Sequence, residues 1–414
     1  SILLILLGAF SSLSLPPYNY IIINFITFSS FYIFLIRIFP TKKSKKIFFL
    51  YGWLFGFGYF SSNLYWISLS LTFDDNFKFL IPLAVVLVPA FLALFYGFVS
   101  YLFIIFKPKK NLSSFFLFSL IFGTIEFLRG SIFTGFPWNL IAYSFSNHIE
   151  ILNITSIIGT YSFNLFCISL FTSPSIFIFR DDKKEILVCI LFLIITLSFY
   201  VFGSQKLKNF NDMVAEKHDY KIRVISSKIS IERFYNDIEP VSVIEDLIKI
   251  SSPQKNERTI FIWPEGILPE ISKNQLQEYK WLFENKFNEN HILAIGINDI
   301  IKQDQEEKYF NSFSIYDHNF EIINSYNKVD LVPFGEFLPF EKILSQIGLK
   351  NITNNYQPYS RGEKRNIIEI NKFNFSIKLL PLICYEIIYT GKIFDDRNFD
   401  FIVNISEDGW FGHS

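Results

Sequence analysis

The run LLPLICYEIIYTG, residues 379–391, is apolar up to Cys384 and passes at once into Tyr385 and Glu386. An apolar run of this length with polar neighbours reads as a strand buried on both faces, which implies a sheet covered on each side. The thiol at its end has two meanings. Free cysteine packs as a small inert hydrophobe, and it is also a nucleophile where its surroundings supply a base.

Runs of the same kind surround it. KIRVIS (221–226), TIFIW (259–263), HILAIGI (291–297), SFSIYD (312–317), FEIINSY (320–326), FSIKLLPLI (375–383) and DFIVNI (400–405) are strand-like, and helices fit 241–251 and 274–287. Strands alternating with helices, together with a hairpin, imply an α/β layered domain. The strand ends carry the chemistry. Glu265 follows TIFIWP, Lys328 follows FEIINSYN and Cys384 closes FSIKLLPLI. Strand C-termini of α/β sheets form the edge where ligands bind. Separately these are a loop carboxylate, a surface lysine and a core cysteine. Together they make a thiol, a base to take its proton and a cation for an oxyanion, with the amide N–H after Cys384 as a further donor.

The upstream half is different in kind. Half of the 414 residues are hydrophobic, 52 of them Phe, and the mean hydropathy is +0.31. This is membrane-protein composition. Long apolar runs occur near 19–39, 47–71, 79–106, 113–128, 149–179 and 186–203, and a shorter one at 1–15 is closed by Pro16-Pro17. With a helix needing roughly 20 apolar residues to cross a bilayer, about seven spans are expected. The chain then divides into a helical transmembrane bundle (1–203), a linker (204–220) and a catalytic domain (221–414). It lacks an initial Met and stops at Ser414, so it reads as incomplete at both ends.

Positive charge is clustered in alternate loops: Arg37 with Lys42, Lys43, Lys45 and Lys46; Lys107, Lys109 and Lys110; Arg180, Lys183 and Lys184. Such loops remain cytoplasmic, and an odd number of spans then delivers residues 221–414 to the extracytoplasmic side. The net charge of zero argues against nucleic acid as a partner. Cys167 and Cys189 fall in spans, leaving Cys384 without a disulfide partner in the exported half. Glu126 and Arg129 are spaced to pair along one helix face, and TGFPWN (134–139) suits an interfacial anchor. The five histidines lack metal-ligand spacing, so no zinc site is expected. A Cys-His dyad using His291 or His318 is the alternative for Cys384.

WPEGILP (263–269), NKVDLVPFGEFLPF (327–340), PLICYEI (381–387), NISEDGWFGHS (404–414), GFGYFSSNLYWI (56–67) and EFLRGSIFTGFPWN (126–139) resemble the apolipoprotein N-acyltransferase family, the membrane branch of the nitrilase (carbon–nitrogen hydrolase) superfamily. The resemblance implies a nitrilase-type αββα sandwich, C-terminally incomplete here, held outside a bacterial inner membrane by about seven N-terminal spans. It places a catalytic triad on Glu265, Lys328 and Cys384, a supporting glutamate on Glu336, and an essential pair on Tyr385 and Glu386. It implies transfer of an acyl group from a phospholipid, through a cysteine thioester, to the N-terminal amine of a diacylglyceryl-cysteine apolipoprotein, with membrane lipid as surroundings and no cofactor. The chain departs from the family at Ser226-Ser227-Lys228-Ile229, where a Gln-Gly-Asn-Ile-like run is usual, and at Phe234 and Tyr235, near the place of a usual Trp. The alternatives are a membrane-tethered amidase that passes the acyl group to water, and a non-catalytic scaffold or transporter.

Overall fold

The computed structural model describes residues 1–38, 44–73, 75–180, 182–213, 218–226, 234, 239–303, 306–339, 358–373, 375–393, 398–407 and 409. Ser227, Lys228, Ile229 and Tyr235 lie outside the described residues. The chain divides into two compact units, Ser1–Ala215 and Glu216–Ser414.

The first unit is helical: α1 (Ile2–Ser12), α2 (Ile22–Ile38), α3 (Lys45–Leu64), α4 (Ile81–Phe106), α5 (Asn111–Arg129), the single turns α6 (Ile149–Leu152) and α7 (Thr155–Ile158), α8 (Thr160–Ile178) and α9 (Lys183–Asp212). Four helical stretches, Lys78–Phe106, α5, α8 and α9, are long and apolar enough to cross a membrane. They mark a membrane-associated protein. The others fall short for separate reasons. α1 and α2 have only 11 and 17 residues, and α3 is diluted by Gly, Tyr, Ser and Asn before the chain tightens into a 3-10 stretch, Tyr65–Thr72. The run expected at 149–179 is interrupted where Gly159 takes φ +78°.

Aromatic rings fill this unit's interior. Phe31 stacks on Phe55 at 4.3 Å, and Phe28, Tyr96, Phe118 and Phe122 are all buried around them. α3 lies so close to α4 that a Cβ on Gly52 would come within 2.1 Å of the Tyr96 carbonyl oxygen. Small residues permit this approach where lipid offers no hydrophobic drive to helix association. α9 opens on a capping box between Asp182 and Glu185 and continues as helix through residues 204–212. The first half of the expected linker is therefore helical, since its Gln, Lys and Asn residues carry no helix-breaking Pro.

The second unit contains two sheets. β1 (Lys221–Val224), β2 (Thr259–Ile262), β3 (His291–Gln303), β4 (Glu306–Tyr316) and β5 (Ile322–Asn327) lie in that order, the first three parallel and the last three antiparallel. β6 (Ile368–Lys372), β7 (Phe375–Ile383) and β8 (Phe401–Ile405) form the second sheet, with β7 parallel to β8. Side-chain alternation accounts for the layering. Ile260, Ile262, Phe313 and Ile315 point from the first sheet into a core shared with Ile370, Ile377, Leu379 and Val403 of the second. The other face of the first sheet, with Phe261, Trp263, Leu293 and Ile295, packs on Val243, Ile244, Leu247 and Ile248 of α10 (Pro240–Ser251). α11 (Lys280–Phe283) and a 3-10 turn, Gln275–Tyr279, occupy part of the helix expected at 274–287 and add Leu276, Leu282 and Phe283 to the same layer. The second helical layer of an αββα sandwich is not found among the described residues.

Candidate active site

Three strand ends meet in the second unit. β2 runs through Trp263 and Pro264 to Glu265, and a Cβ on Gly296 of β3 would lie 2.4 Å from the Pro264 carbonyl oxygen and 2.6 Å from Glu265 Cα. Only a glycine there lets the Glu265 backbone settle across β3. β5 ends at Asn327, and the Lys328 N–H donates to the Asn311 carbonyl on β4 at 2.9 Å. β7 ends at Ile383, and Cys384 follows with φ +51°. That left-handed conformation costs a non-glycine residue about 1–2 kcal/mol, a strain typical of functional turns.

The side chains form one buried network. Lys328 Nζ donates to Glu336 Oε1 at 2.9 Å and lies 3.8 Å from Glu265 Oε1. Glu336 comes from the turn after β5, where its Oε2 accepts from the Val332 N–H at 2.8 Å. Asn311 Nδ2 donates to Glu265 Oε1 at 2.7 Å and to Glu336 Oε1 at 2.9 Å. The Glu407 N–H donates to Glu265 Oε2 at 3.0 Å. Glu265, Lys328 and Glu336 are 8%, 1% and 9% exposed, so these charges interact with little help from water.

Burial sets the proton affinities. It raises the Glu265 carboxyl above its ordinary range, with Lys328 opposing and Glu336 adding to the effect. Burial would lower the Lys328 ammonium, but Glu265 and Glu336 hold it well above the usual range. For Cys384, burial and then Glu265 push the thiol up to about 12, against the pull of Lys328. At neutral pH the resting thiol is therefore protonated, beside the Lys328 ammonium. A base must accept the proton as the sulfur attacks.

Glu386 is fully buried and anchors the turn. Its Oε1 accepts from Tyr326 Oη at 2.7 Å, the Val329 N–H at 2.9 Å, the Asp330 N–H at 3.1 Å and Arg365 Nη2 at 2.9 Å. Its Oε2 accepts from the Ile383 N–H at 2.9 Å. One carboxylate thus ties the residues just after Lys328 to the residue just before Cys384. Tyr385 packs its ring edge-on against Tyr389 at 5.2 Å. His291 is engaged elsewhere: its Nδ1 accepts from the Asn288 N–H at 3.1 Å and its Nε2 lies 3.1 Å from the Gln254 carbonyl. His318 packs on Phe373 at 4.7 Å. Neither contact makes a dyad with Cys384.

Residues 7–171 match the apolipoprotein N-acyltransferase N-terminal domain, and residues 241–414 match the carbon-nitrogen hydrolase domain. The apolipoprotein N-acyltransferase of Brucella suis biovar 1 is 28% identical over 425 residues, covering 98% of this chain and 77% of that protein. The chain belongs to the apolipoprotein N-acyltransferase family. The family member of Rhizobium rhizogenes is 29% identical over 436 residues, covering all of this chain and 79% of its own. Among solved structures, an amidase from Nesterenkonia sp. is 16% identical, covers 43% of this chain and 60% of its own, and has a TM-score of 0.26, too slight a likeness to argue from. As a family member the chain is an acyltransferase with a carbon–nitrogen hydrolase domain.

Asn311, Tyr326 and Arg365 escaped the sequence-based selection. Asn311 had a signal: it precedes Phe313 and Ile315 on the face of β4 that builds the inter-sheet core, where a polar side chain needs partners. Arg365 donates to both Asp330 and Glu386, a role visible only once the turns meet.

In the first unit, Arg129 Nε and Nη2 donate to Glu126 Oε1 and Oε2 at 2.9 and 2.8 Å, the pairing expected from their spacing. Arg129 Nη1 also donates to the Phe136 and Trp138 carbonyls at 2.6 and 2.8 Å, fixing the TGFPWN segment to the end of α5.

Proposed function

We propose that the chain moves an acyl group from a phospholipid to the N-terminal amine of a diacylglyceryl-cysteine apolipoprotein through a thioester on Cys384. The observation that carries this is the buried Glu265–Lys328–Glu336 network beside a cysteine in a left-handed turn. Glu265 takes the Sγ proton as sulfur bonds to the ester carbonyl carbon, and the negative charge that develops on the carbonyl oxygen is stabilised by Lys328 and the N–H of Tyr385. Collapse breaks the ester C–O bond, and the lysophospholipid leaves with the proton returned by Glu265. The amine nitrogen then bonds to the thioester carbonyl carbon as Glu265 takes one of its protons; the C–S bond breaks, leaving an amide, and Glu265 returns that proton to the departing Cys384 sulfur. Glu336 holds Lys328, while Glu386 and the Tyr385 ring hold the turn.

Both reactants are lipids, which gives the apolar helices a purpose beyond anchorage. We assign residues 1–203 to a multi-pass bundle of about seven spans in a bacterial inner membrane, and 221–414 to a catalytic domain on its periplasmic side. Delivery of the acyl chain from the bilayer also keeps water away from the thioester.

The test incubates the full chain with a phospholipid labelled in its acyl chain and a diacylated lipopeptide. Label should appear first on the protein and then on the peptide amine, and Cys384→Ala should give neither. Fatty acid release without peptide acylation would assign the chain to hydrolysis. An acyl adduct persisting in Cys384→Ala would eliminate the nucleophile.

A further inference from the structure

Asn311 commits both hydrogens of its side-chain amide to carboxylates, one to Glu265 Oε1 at 2.7 Å and one to Glu336 Oε1 at 2.9 Å. The reverse amide orientation would press its oxygen against two carboxylate oxygens, so the network fixes which way it points. The remaining carboxylate oxygens accept main-chain N–H groups, Glu265 Oε2 from Glu407 at 3.0 Å and Glu336 Oε2 from Val332 at 2.8 Å. Two buried carboxylates share one ammonium, that of Lys328. Like charges at such a site drive one carboxylate to take a proton. Donors fixed on all four oxygens oppose that, because a carboxylic O–H accepts less well than a carboxylate. Two of these donors belong to a single side chain.

We propose that Asn311 is a positioning residue that keeps Glu265 ionised at neutral pH and ties it to the Glu336 that holds Lys328, so that a base is ready when Cys384 releases its proton. The proposal rests on Glu265 acting as that base. Asn311 also sets the start of the Lys328 turn, since its carbonyl accepts the Lys328 N–H at 2.9 Å. Among the described residues, the ionisable groups that interact electrostatically with Glu265 are Lys328, Glu336, Cys384 and the Tyr359 phenol. Three of these four lose a proton to become anions or already carry negative charge, so Lys328 is the sole cation among them. Losing the amide donors leaves Oε1 of both carboxylates to that cation, with only the Glu407 and Val332 N–H groups on their Oε2 atoms.

The experiment follows acyl-enzyme formation on the full chain by intact-protein mass spectrometry, with a short-chain phosphatidylglycerol in detergent as donor, across about pH 5 to 9. In Asn311→Ala the acid limb should move upward by about one unit, the shift expected when an ionised carboxyl loses a hydrogen bond. The plateau at high pH should stay within about tenfold of the unchanged protein. Asn311→Ser, which retains one donor, should fall between the two and carries the test if the alanine variant does not fold. A lowered plateau with an unmoved limb would reduce Asn311 to a structural residue and overturn the proposal. Glu265→Gln separates the layers: if it abolishes acylation while the Asn311 limb is unmoved, only the role of Asn311 fails. If Glu265→Gln acylates normally with the same limb, the base itself is wrong.

Discussion

Replacing Glu386 by Gln preserves size and shape but exchanges one acceptor oxygen for a donor. The best placement leaves the amide oxygen where Oε1 accepts Tyr326, Val329, Asp330 and Arg365. The NH2 group then faces the Ile383 N–H, which loses its partner. A buried unmet donor costs about 1–3 kcal/mol, and replacing a charged acceptor by a neutral one weakens the Arg365 bond by about 1 kcal/mol. Arg365 retains Asp330 at 3.0 Å, which limits the loss. The sum is about 2–4 kcal/mol, equivalent to a fall of about 5–15 °C in the apparent Tm of a domain this size. The freed N–H immediately precedes Cys384, so acyl-enzyme formation should slow about 10- to 100-fold even where the protein remains folded, as for a reacting atom displaced by up to about 1 Å. Tyr326→Phe, which removes one of the donors to Oε1, should cost only about 1 kcal/mol. The assay is thermal unfolding of the detergent-solubilised chain alongside intact-mass detection of the adduct. A Glu386→Gln protein with unchanged Tm and acylation rate would refute the reasoning.

Gly296→Ala drives a methyl group into the backbone at Pro264 and Glu265, so it should reduce acylation more than stability, read as the adduct rate against the Tm. Lys328→Met leaves Glu265 and Glu336 facing each other without a cation; acylation should fall at least about 100-fold, measured by single-turnover mass spectrometry. Arg129→Met strands a buried Glu126 at a cost of about 3–5 kcal/mol, while the double variant with Glu126→Leu should recover part of the lost thermal stability in detergent. Burial raises Glu265 above its reference value of 4.5, and it must be ionised to accept a proton. The rate therefore falls as pH drops through that raised value, and the acid midpoint of acylation should lie above 4.5.

The sheet domain was legible wherever burial was two-sided or alternation was strong. β2, β7 and β8 coincide closely with their apolar runs, and Glu265, Lys328 and Cys384 stand just beyond strand ends that the sequence itself marks. β6 escaped because IEINK buries only Ile368 and Ile370, with charged or polar residues between and after them. The helix expected at 274–287 forms only short turns, because the backbone leaves helical geometry at Glu284 (ψ 135°) although Leu276, Leu282, Phe283 and Phe287 all reach the core. Hydropathy located the helices of the first unit but not their lengths, since a left-handed Gly159 leaves no trace in a window average. Asn311 and Glu386 illustrate a deeper limit. Their partners are remote in sequence, at Glu265 and Glu336 for one and at Tyr326, Val329 and Arg365 for the other, so their work depends on which turns the fold brings together.

The Glu386 anchor bears on protein engineering. A thiol copied alone onto a foreign scaffold would bring neither its turn nor the brace that aligns it with the lysine. The smallest portable unit is discontinuous: the Cys384–Glu386 segment, the Tyr326–Asp330 bend and Arg365, grafted as a set.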